Sequence, residues 1–136
     1  MNKNLVFMLF AIFSTFYMAH ANPMYRNCSH HGSNALVAKV NWGPDPANAG
    51  TEITGTYQSK NLTNSTTTTA TFFIGFLRKG DNSFFDHHSF HIDSDQNSVT
   101  LENFTITTPF SETSYEILFG LMDNGDFVEC VTFQRF

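Results

Sequence analysis

The sequence predicts an all-β fold, an antiparallel β-sandwich, on three observations. β-branched and aromatic residues, which favour strands, are abundant, and twelve phenylalanines lie after residue 21. No stretch after residue 21 carries a convincing helical period. Instead, six or seven segments of alternating polarity follow one another at fairly regular spacing, separated by turns that contain proline and glycine. We therefore predict one immunoglobulin-like sandwich domain over residues 22–136.

Two strands are predicted in the first half of this domain, at residues 35–42 and 51–57. The apolar face of the first would comprise Leu36, Ala38, Val40 and Trp42. The corresponding face of the second would comprise Ile53, Gly55 and Tyr57. Regular structure is broken between them at residues 43–50, because proline cannot donate to a strand ladder and glycine favours turns.

The middle of the chain combines a polar loop with an aromatic strand. Residues 58–65 are polar and predict a loop. The threonines at 66–69 are compatible with a flexible spacer or with a strand, and their direct run into an alternating segment at 71–77 favours the strand. That segment would place Phe72, Ile74 and Phe76 on one face. Residues 84–92 are compatible with either strand or loop, because Asp86, His87 and His88 interrupt their aromatic residues.

Three strands are predicted in the last third of the chain. Alternation at 98–106 and at 113–122 predicts two of them, with a bend at Pro109 between them. The second would place Tyr115, Ile117, Phe119 and Leu121 on one face. The Asn124-Gly125 pair favours a tight hairpin, from which residues 127–135 return as the last strand.

The N-terminus has the features of a secretory signal peptide over residues 1–21. Lys3 gives a positive start, residues 5–18 are mostly apolar, and Ala19-His20-Ala21 matches an A-x-A cleavage site. The apolar run is too short for a membrane span. In the oxidising compartments that such a leader implies, Cys28 and Cys130 would be paired. We therefore expect a secreted or endolysosomal protein whose first and last ordered segments lie side by side.

Charge excludes some partners and suggests none. Removal of the leader takes Lys3 away and leaves six Lys and Arg against twelve Asp and Glu, a formal net charge of −6. This balance argues against binding to nucleic acid and against electrostatic capture by anionic bilayers, since both need clustered positive charge. Four asparagines stand in N-x-[ST] sequons and are candidate surface glycosylation sites: Asn27, Asn61, Asn64 and Asn103.

Several short elements follow one another in a distinctive order between Cys28 and Cys130. Cys28 soon after the leader is followed by Pro44-Asp45-Pro46 and by Gly50 before a strand that begins Thr51-Glu52-Ile53. Near the end come residues 104–110, an Asp123-Asn124-Gly125 turn and Cys130. In their order and spacing these elements resemble the MD-2-related lipid-recognition (ML) family, which includes sterol and phosphatidylglycerol/phosphatidylinositol transfer proteins. The resemblance covers almost all of residues 22–136. Many members have two further disulfides, for which this chain has no cysteines.

The resemblance implies a monomeric lipid carrier with a cavity between its two sheets. It would hold a sterol or phospholipid, need no cofactor, and contact a membrane or a lipid receptor transiently. The residues that could line an apolar slot without buried charge are Tyr57, Phe72, Ile74, Phe76, Tyr115, Ile117, Phe119 and Leu121. The alternative for the same residues is a closed core of interdigitated aromatic rings.

Other kinds of chemistry have weaker support in the sequence. His87 and His91 would share one face of a strand while His88 points away, so that segment offers two metal ligands at best, and we expect no metal site. No motif of a nucleophilic or metal-dependent enzyme is present, and we expect no catalytic residue. The alternative function is a secreted carbohydrate-binding or adhesion sandwich, for which Trp42, Tyr57, Phe84 and Phe85 are candidate exposed aromatic residues.

Overall fold

The computed structural model describes residues 25–28, 34–44, 48–110 and 114–135. Within these ranges the regular structure consists of nine β-strands. They are β1 (Tyr25–Asn27), β2 (Leu36–Val37), β3 (Lys39–Gly43), β4 (Glu52–Ser59), β5 (Thr71–Arg78), β6 (Phe84–His91), β7 (Val99–Thr107), β8 (Tyr115–Asp123) and β9 (Asp126–Arg135). No helix in these ranges is long and apolar enough to cross a membrane. The predicted leader at 1–21 lies outside the described residues.

The strands form two sheets that face each other. The large sheet has the order β1-β9-β8-β5-β6, with β2 also paired to β9, and the small sheet has the order β3-β4-β7. Every pairing is antiparallel except that of β2 with β9. One core takes its residues from both sheets. The predicted all-β sandwich is therefore confirmed. The strand count exceeds the predicted six or seven because β1 was not predicted and because the predicted strand at 35–42 is divided into β2 and β3.

The chain changes sheets at Ala38. Leu36 and Val37 pair with β9 in the large sheet, whereas Lys39 and the residues after it pair with β4 in the small sheet. At the crossing point, the Ala38 N–H donates to the Cys130 carbonyl at 3.3 Å. Leu36 is 65% exposed while Ala38 is buried, so the prediction that both lie on one face of a single strand was wrong. The alternation ends at Ala38 because the chain leaves one sheet edge for another.

The threonines at 66–69 form part of a loop, not of a strand as predicted. Thr66 is buried and joins this loop to the one at 93–97. Its hydroxyl donates to the Asp93 carbonyl at 2.7 Å and accepts from the Gln96 N–H at 2.9 Å, while its carbonyl accepts from the Asp95 N–H at 2.7 Å. Hydrogen bonds to a distant loop therefore replace the strand ladder that threonine would otherwise favour.

Most of the predicted alternation is confirmed. In β4, Ile53 and Tyr57 are buried while Glu52, Thr54 and Thr56 are exposed. Residues 84–91, which the sequence left open, form strand β6. The β8–β9 hairpin turns at Asn124 (φ 52°) and Gly125 (φ 83°). Positive φ at both central residues is what a type I′ turn requires, so the predicted Asn-Gly turn is also confirmed.

Cys28 and Cys130 are bonded, with their Cα atoms 5.7 Å apart, which confirms the predicted pairing. The bridge joins the chain just after β1 to the middle of β9. With Leu77 and Leu118 it forms a small buried cluster on the outer face of the large sheet. A disulfide at this place is compatible with an extracellular or lumenal location.

Candidate functional site

The eight residues predicted to line an apolar interior all lie between the two sheets. Each is at most 4% exposed, and all belong to the core that both sheets share. Seven lie on β5 and β8 of the large sheet, and Tyr57 faces them from β4 of the small sheet. They come together because β5 and β8 are neighbours, with Phe72 opposite Leu121, Ile74 opposite Phe119 and Phe76 opposite Ile117.

Phe119 is at the centre of this interior. Its ring centroid lies 5.7 Å from that of Trp42, 5.8 Å from that of Phe104 and 5.7 Å from that of Phe133. A second stack joins the sheets where Tyr57 lies over Phe72, at 4.5 Å and 19° between the ring planes. The interior is thus a continuous set of aromatic rings in mutual contact, contributed by both sheets.

Five aromatic residues of this interior were absent from the predicted lining: Trp42, Phe85, Phe90, Phe104 and Phe133. The alternation of the strands at 98–106 and 127–135 could have identified Phe104 and Phe133. The position of Phe104 depends on Gly55, since a Cβ there would lie 2.6 Å from the Phe104 ring and 2.4 Å from the Asn41 carbonyl oxygen. Only a residue without a side chain allows this close approach.

A buried carboxylate lies among the apolar side chains, which corrects the prediction of an interior without charge. Glu129 projects inward from β9 and is 9% exposed. It accepts a hydrogen bond from the Tyr57 hydroxyl at 2.8 Å and another from the Ser59 hydroxyl at 2.7 Å. Because both donors lie on β4, the carboxylate links the large sheet to the small one. Sequence reasoning missed Glu129 because an acidic residue is seldom buried unless it is paired.

Burial raises the pKa of the Tyr57 hydroxyl, and the neighbouring Glu129 charge raises it further. Tyr57→Phe should lower the free energy of unfolding by about 1–3 kcal/mol at pH 7, because the carboxylate loses a donor. Because the pKa of the Tyr57 hydroxyl is higher in the folded than in the unfolded protein, protonated Tyr57 contributes to stability. This contribution is complete at pH values below the unfolded pKa of about 10 and is lost progressively as pH rises above that value. Urea unfolding between pH 7 and pH 11 should therefore give a flatter alkaline decline for Tyr57→Phe. Tyr25→Phe, at an exposed position, should reproduce the wild-type curve, and a steep decline retained in Tyr57→Phe would contradict the assignment.

The chain joins the two sheets on both sides of the sandwich. On one side the chain itself crosses at Ala38 from β2 to β3. On the other side β6 and β7 are edge strands that do not pair with each other along their length. Residues 92–98 connect them at one end, where Thr66 and Leu62 hold the connecting loop by hydrogen bonds. Across this β6–β7 seam, the rings of Phe90 and Phe104 lie 6.3 Å apart. Separation of the sheets there breaks no backbone hydrogen bond within either sheet.

The histidines of β6 divide between the two faces of the large sheet, as predicted. His87 and His91 are exposed on the outer face, where His87 stacks on Phe73 at 5.5 Å. His88 points inward and meets Phe76 edge to face at 6.3 Å. Among the described residues, no three His, Cys, Asp or Glu side chains are placed to hold one metal ion.

The outer surface carries the four sequons. Asn27, Asn61, Asn64 and Asn103 are all exposed. Asn103 borders a shallow depression of about 300 Å³ on the outer face of the small sheet, next to Asn41, Thr54 and Thr56. This depression is polar and lies outside the predicted interior.

The aromatic residues considered for carbohydrate binding form no common exposed face. Tyr57 is fully buried, Trp42 and Phe85 are half-buried, and only Phe84 is exposed. Trp42 faces the interior, where it contacts Phe119 and Phe133. Comparisons with known proteins add no family to this geometry, since no protein-family model and no curated protein matches the chain.

Proposed function

We propose that this protein binds a sterol or phospholipid non-covalently between its two sheets, as an ML-type carrier, and performs no bond chemistry. The supporting observation is the apolar wall that β5 and β8 form. It faces the small sheet, which has half as many strands as the large one, and β6 and β7 do not pair with each other at the seam between the sheets. Each Å² of apolar surface that a lipid removes from water contributes about 25 cal/mol. The aromatic rings are in contact, so a bound lipid would displace the small sheet along the β6–β7 seam.

The proposed location of the protein depends on its N-terminal sequence and its disulfide. A signal peptide at residues 1–21 would export the chain, and the Cys28–Cys130 bond suits the extracellular space or an endolysosomal lumen. Glycans at the exposed sequons would leave the interior free. The monomeric protein would pass its lipid to a membrane or to a lipid receptor.

The direct test is organic extraction of protein secreted by eukaryotic cells, followed by lipid mass spectrometry and by uptake of a fluorescent sterol and a fluorescent phospholipid. We expect a co-purifying lipid and saturable uptake. Ile117→Asp should abolish uptake, because a carboxylate in the interior loses its hydration without a partner. Thr105→Asp, at an exposed position, is the matched control and should bind like the wild type.

A second variant covers the case in which Ile117→Asp does not fold. Ile117→Phe keeps the interior apolar but fills more of it, so a ligand that needs this space should bind several-fold more weakly. Thermal unfolding and near-ultraviolet circular dichroism would establish that the variant is folded. Normal uptake by a folded Ile117→Phe protein would show that the lipid does not bind between the sheets at Ile117.

A further inference from the structure

His88 occupies a position that the packing of the interior does not explain. It lies on the inner face of β6, opposite the fully buried Ile74. Its neighbours on this face include Phe76, at 6.3 Å between ring centroids, and Phe90, which meets Phe104 across the seam. An apolar side chain would suit these surroundings better than an imidazole.

The Nε2 atom of His88 is buried and has no hydrogen-bond partner among the described residues. Buried polar atoms are nearly always hydrogen-bonded, and each exception needs an explanation. Glu129, another polar group of the interior, accepts hydrogen bonds from two hydroxyls. His88 therefore offers the interior an imidazole nitrogen that can still form a hydrogen bond.

We propose that His88 Nε2 binds the hydroxyl group of a neutral lipid at the β6–β7 seam; this inference rests on the proposed function. Pockets for apolar ligands commonly carry a few polar groups that fix the ligand's orientation. Here the nitrogen lies on β6, an edge strand that does not pair with β7, so a lipid that entered between these two strands would place its polar end at the seam and its apolar body against β5 and β8.

A hydroxyl matches this nitrogen better than a phosphate does. Neutral imidazole presents one donor and one acceptor nitrogen, and a hydroxyl can pair with Nε2 in either tautomer. A phosphate only accepts, and its negative charge would lie close to half-buried Asp86, two residues from His88 on the same strand. The ligand class is therefore a lipid with a free hydroxyl, such as a sterol or a diacylglycerol, and not an anionic phospholipid.

The test compares lipids that have that free hydroxyl with matched lipids that lack it. Cholesterol would be paired with 5-cholestene, and dioleoylglycerol with its acetate ester, and each affinity would be measured for wild type, His88→Leu and His91→Leu. Wild type should bind the hydroxylated member of at least one pair about tenfold more tightly, because one satisfied buried hydrogen bond accounts for such a factor. His88→Leu should bind both members equally, whereas His91→Leu, on the outer face, should keep the preference. The pair that shows the preference identifies the lipid as sterol or acylglycerol.

A second measurement does not depend on the folding of a variant. In wild-type protein with ¹⁵N-labelled histidine, saturation with the preferred hydroxylated lipid should shift the His88 Nε2 resonance and leave that of His91 unchanged. An unmoved His88 resonance would overturn the inference, as would equal affinities for both members of each pair in wild type. If wild type takes up no lipid of either kind, the proposed function itself fails, and the two failures are thereby distinguished.

Discussion

Replacing Phe119 with alanine should lower the free energy of unfolding by about 3–5 kcal/mol, the usual cost of removing a buried phenylalanine ring. Phe119 is fully buried and contacts rings from both sheets, among them Trp42, Phe104 and Phe133. Since these neighbours are held by two separate sheets, they cannot all move into the space that the ring leaves. The cavity term should therefore add to the lost transfer free energy.

Urea unfolding followed by circular dichroism would measure this change, with Phe110→Ala as the matched control. Phe110 is 82% exposed, so the same truncation there should change stability by no more than about 0.5 kcal/mol. Equal midpoints for wild type and Phe119→Ala would show that the interior is not packed as described. If Phe110→Ala lowered the free energy of unfolding as much as Phe119→Ala does, the Phe110 ring could not be exposed in solution as it is in this structure.

The double substitution of Cys28 and Cys130 by alanine should cost about 2–5 kcal/mol. The bridged residues are 102 positions apart, so the bond restricts nearly the whole unfolded chain. Loop-closure theory assigns its larger gains to such long loops. Alanine is the suitable replacement because both cysteines are buried beside Leu77 and Leu118, where serine would bury two hydroxyls.

Urea unfolding of the double variant should show both a lower midpoint and a steeper dependence on denaturant, because the unfolded chain without the bridge exposes more surface. Wild-type protein reduced with dithiothreitol is the matched control and should behave similarly. An unchanged midpoint in both would show that the bond adds no stability to the sandwich. A loss in the variant but not in reduced wild type would assign the effect to the lost packing of the sulfur atoms.

The sequence by itself determined the features that depend on neighbours along the chain. Alternation with a period of two places Ile53 and Tyr57 inside and Thr54 outside, because successive side chains of a strand point to opposite faces. The Asn124-Gly125 turn follows from the positive φ that both residues tolerate. The pairing of Cys28 with Cys130 was predicted because the sequence has only two cysteines and its N-terminus predicts a secretory leader.

The lining of the interior was predictable for a related reason. Phe72, Phe119 and Leu121 lie on strongly alternating apolar segments, and such faces must be buried against another layer. Phe104 and Phe133 lie on segments of the same kind and could have been included. Their mutual contacts could not be predicted, because the sequence does not state which strands are neighbours or that Gly55 leaves room for the Phe104 ring.

Only the tertiary structure decided the features that depend on distant partners. The chain crosses at Ala38 because two sheet edges meet there, and Thr66 lies in a loop because a second loop supplies its hydrogen bonds. Glu129 can be buried because Tyr57 and Ser59 of β4 donate hydrogen bonds to its carboxylate. His88 also points inward, because of the pleat of β6, but no described residue forms a hydrogen bond with its Nε2 atom. Local alternation fixes the face on which a side chain lies, but the groups that meet it there belong to other parts of the chain, and their arrangement is set only when the sheets pack together.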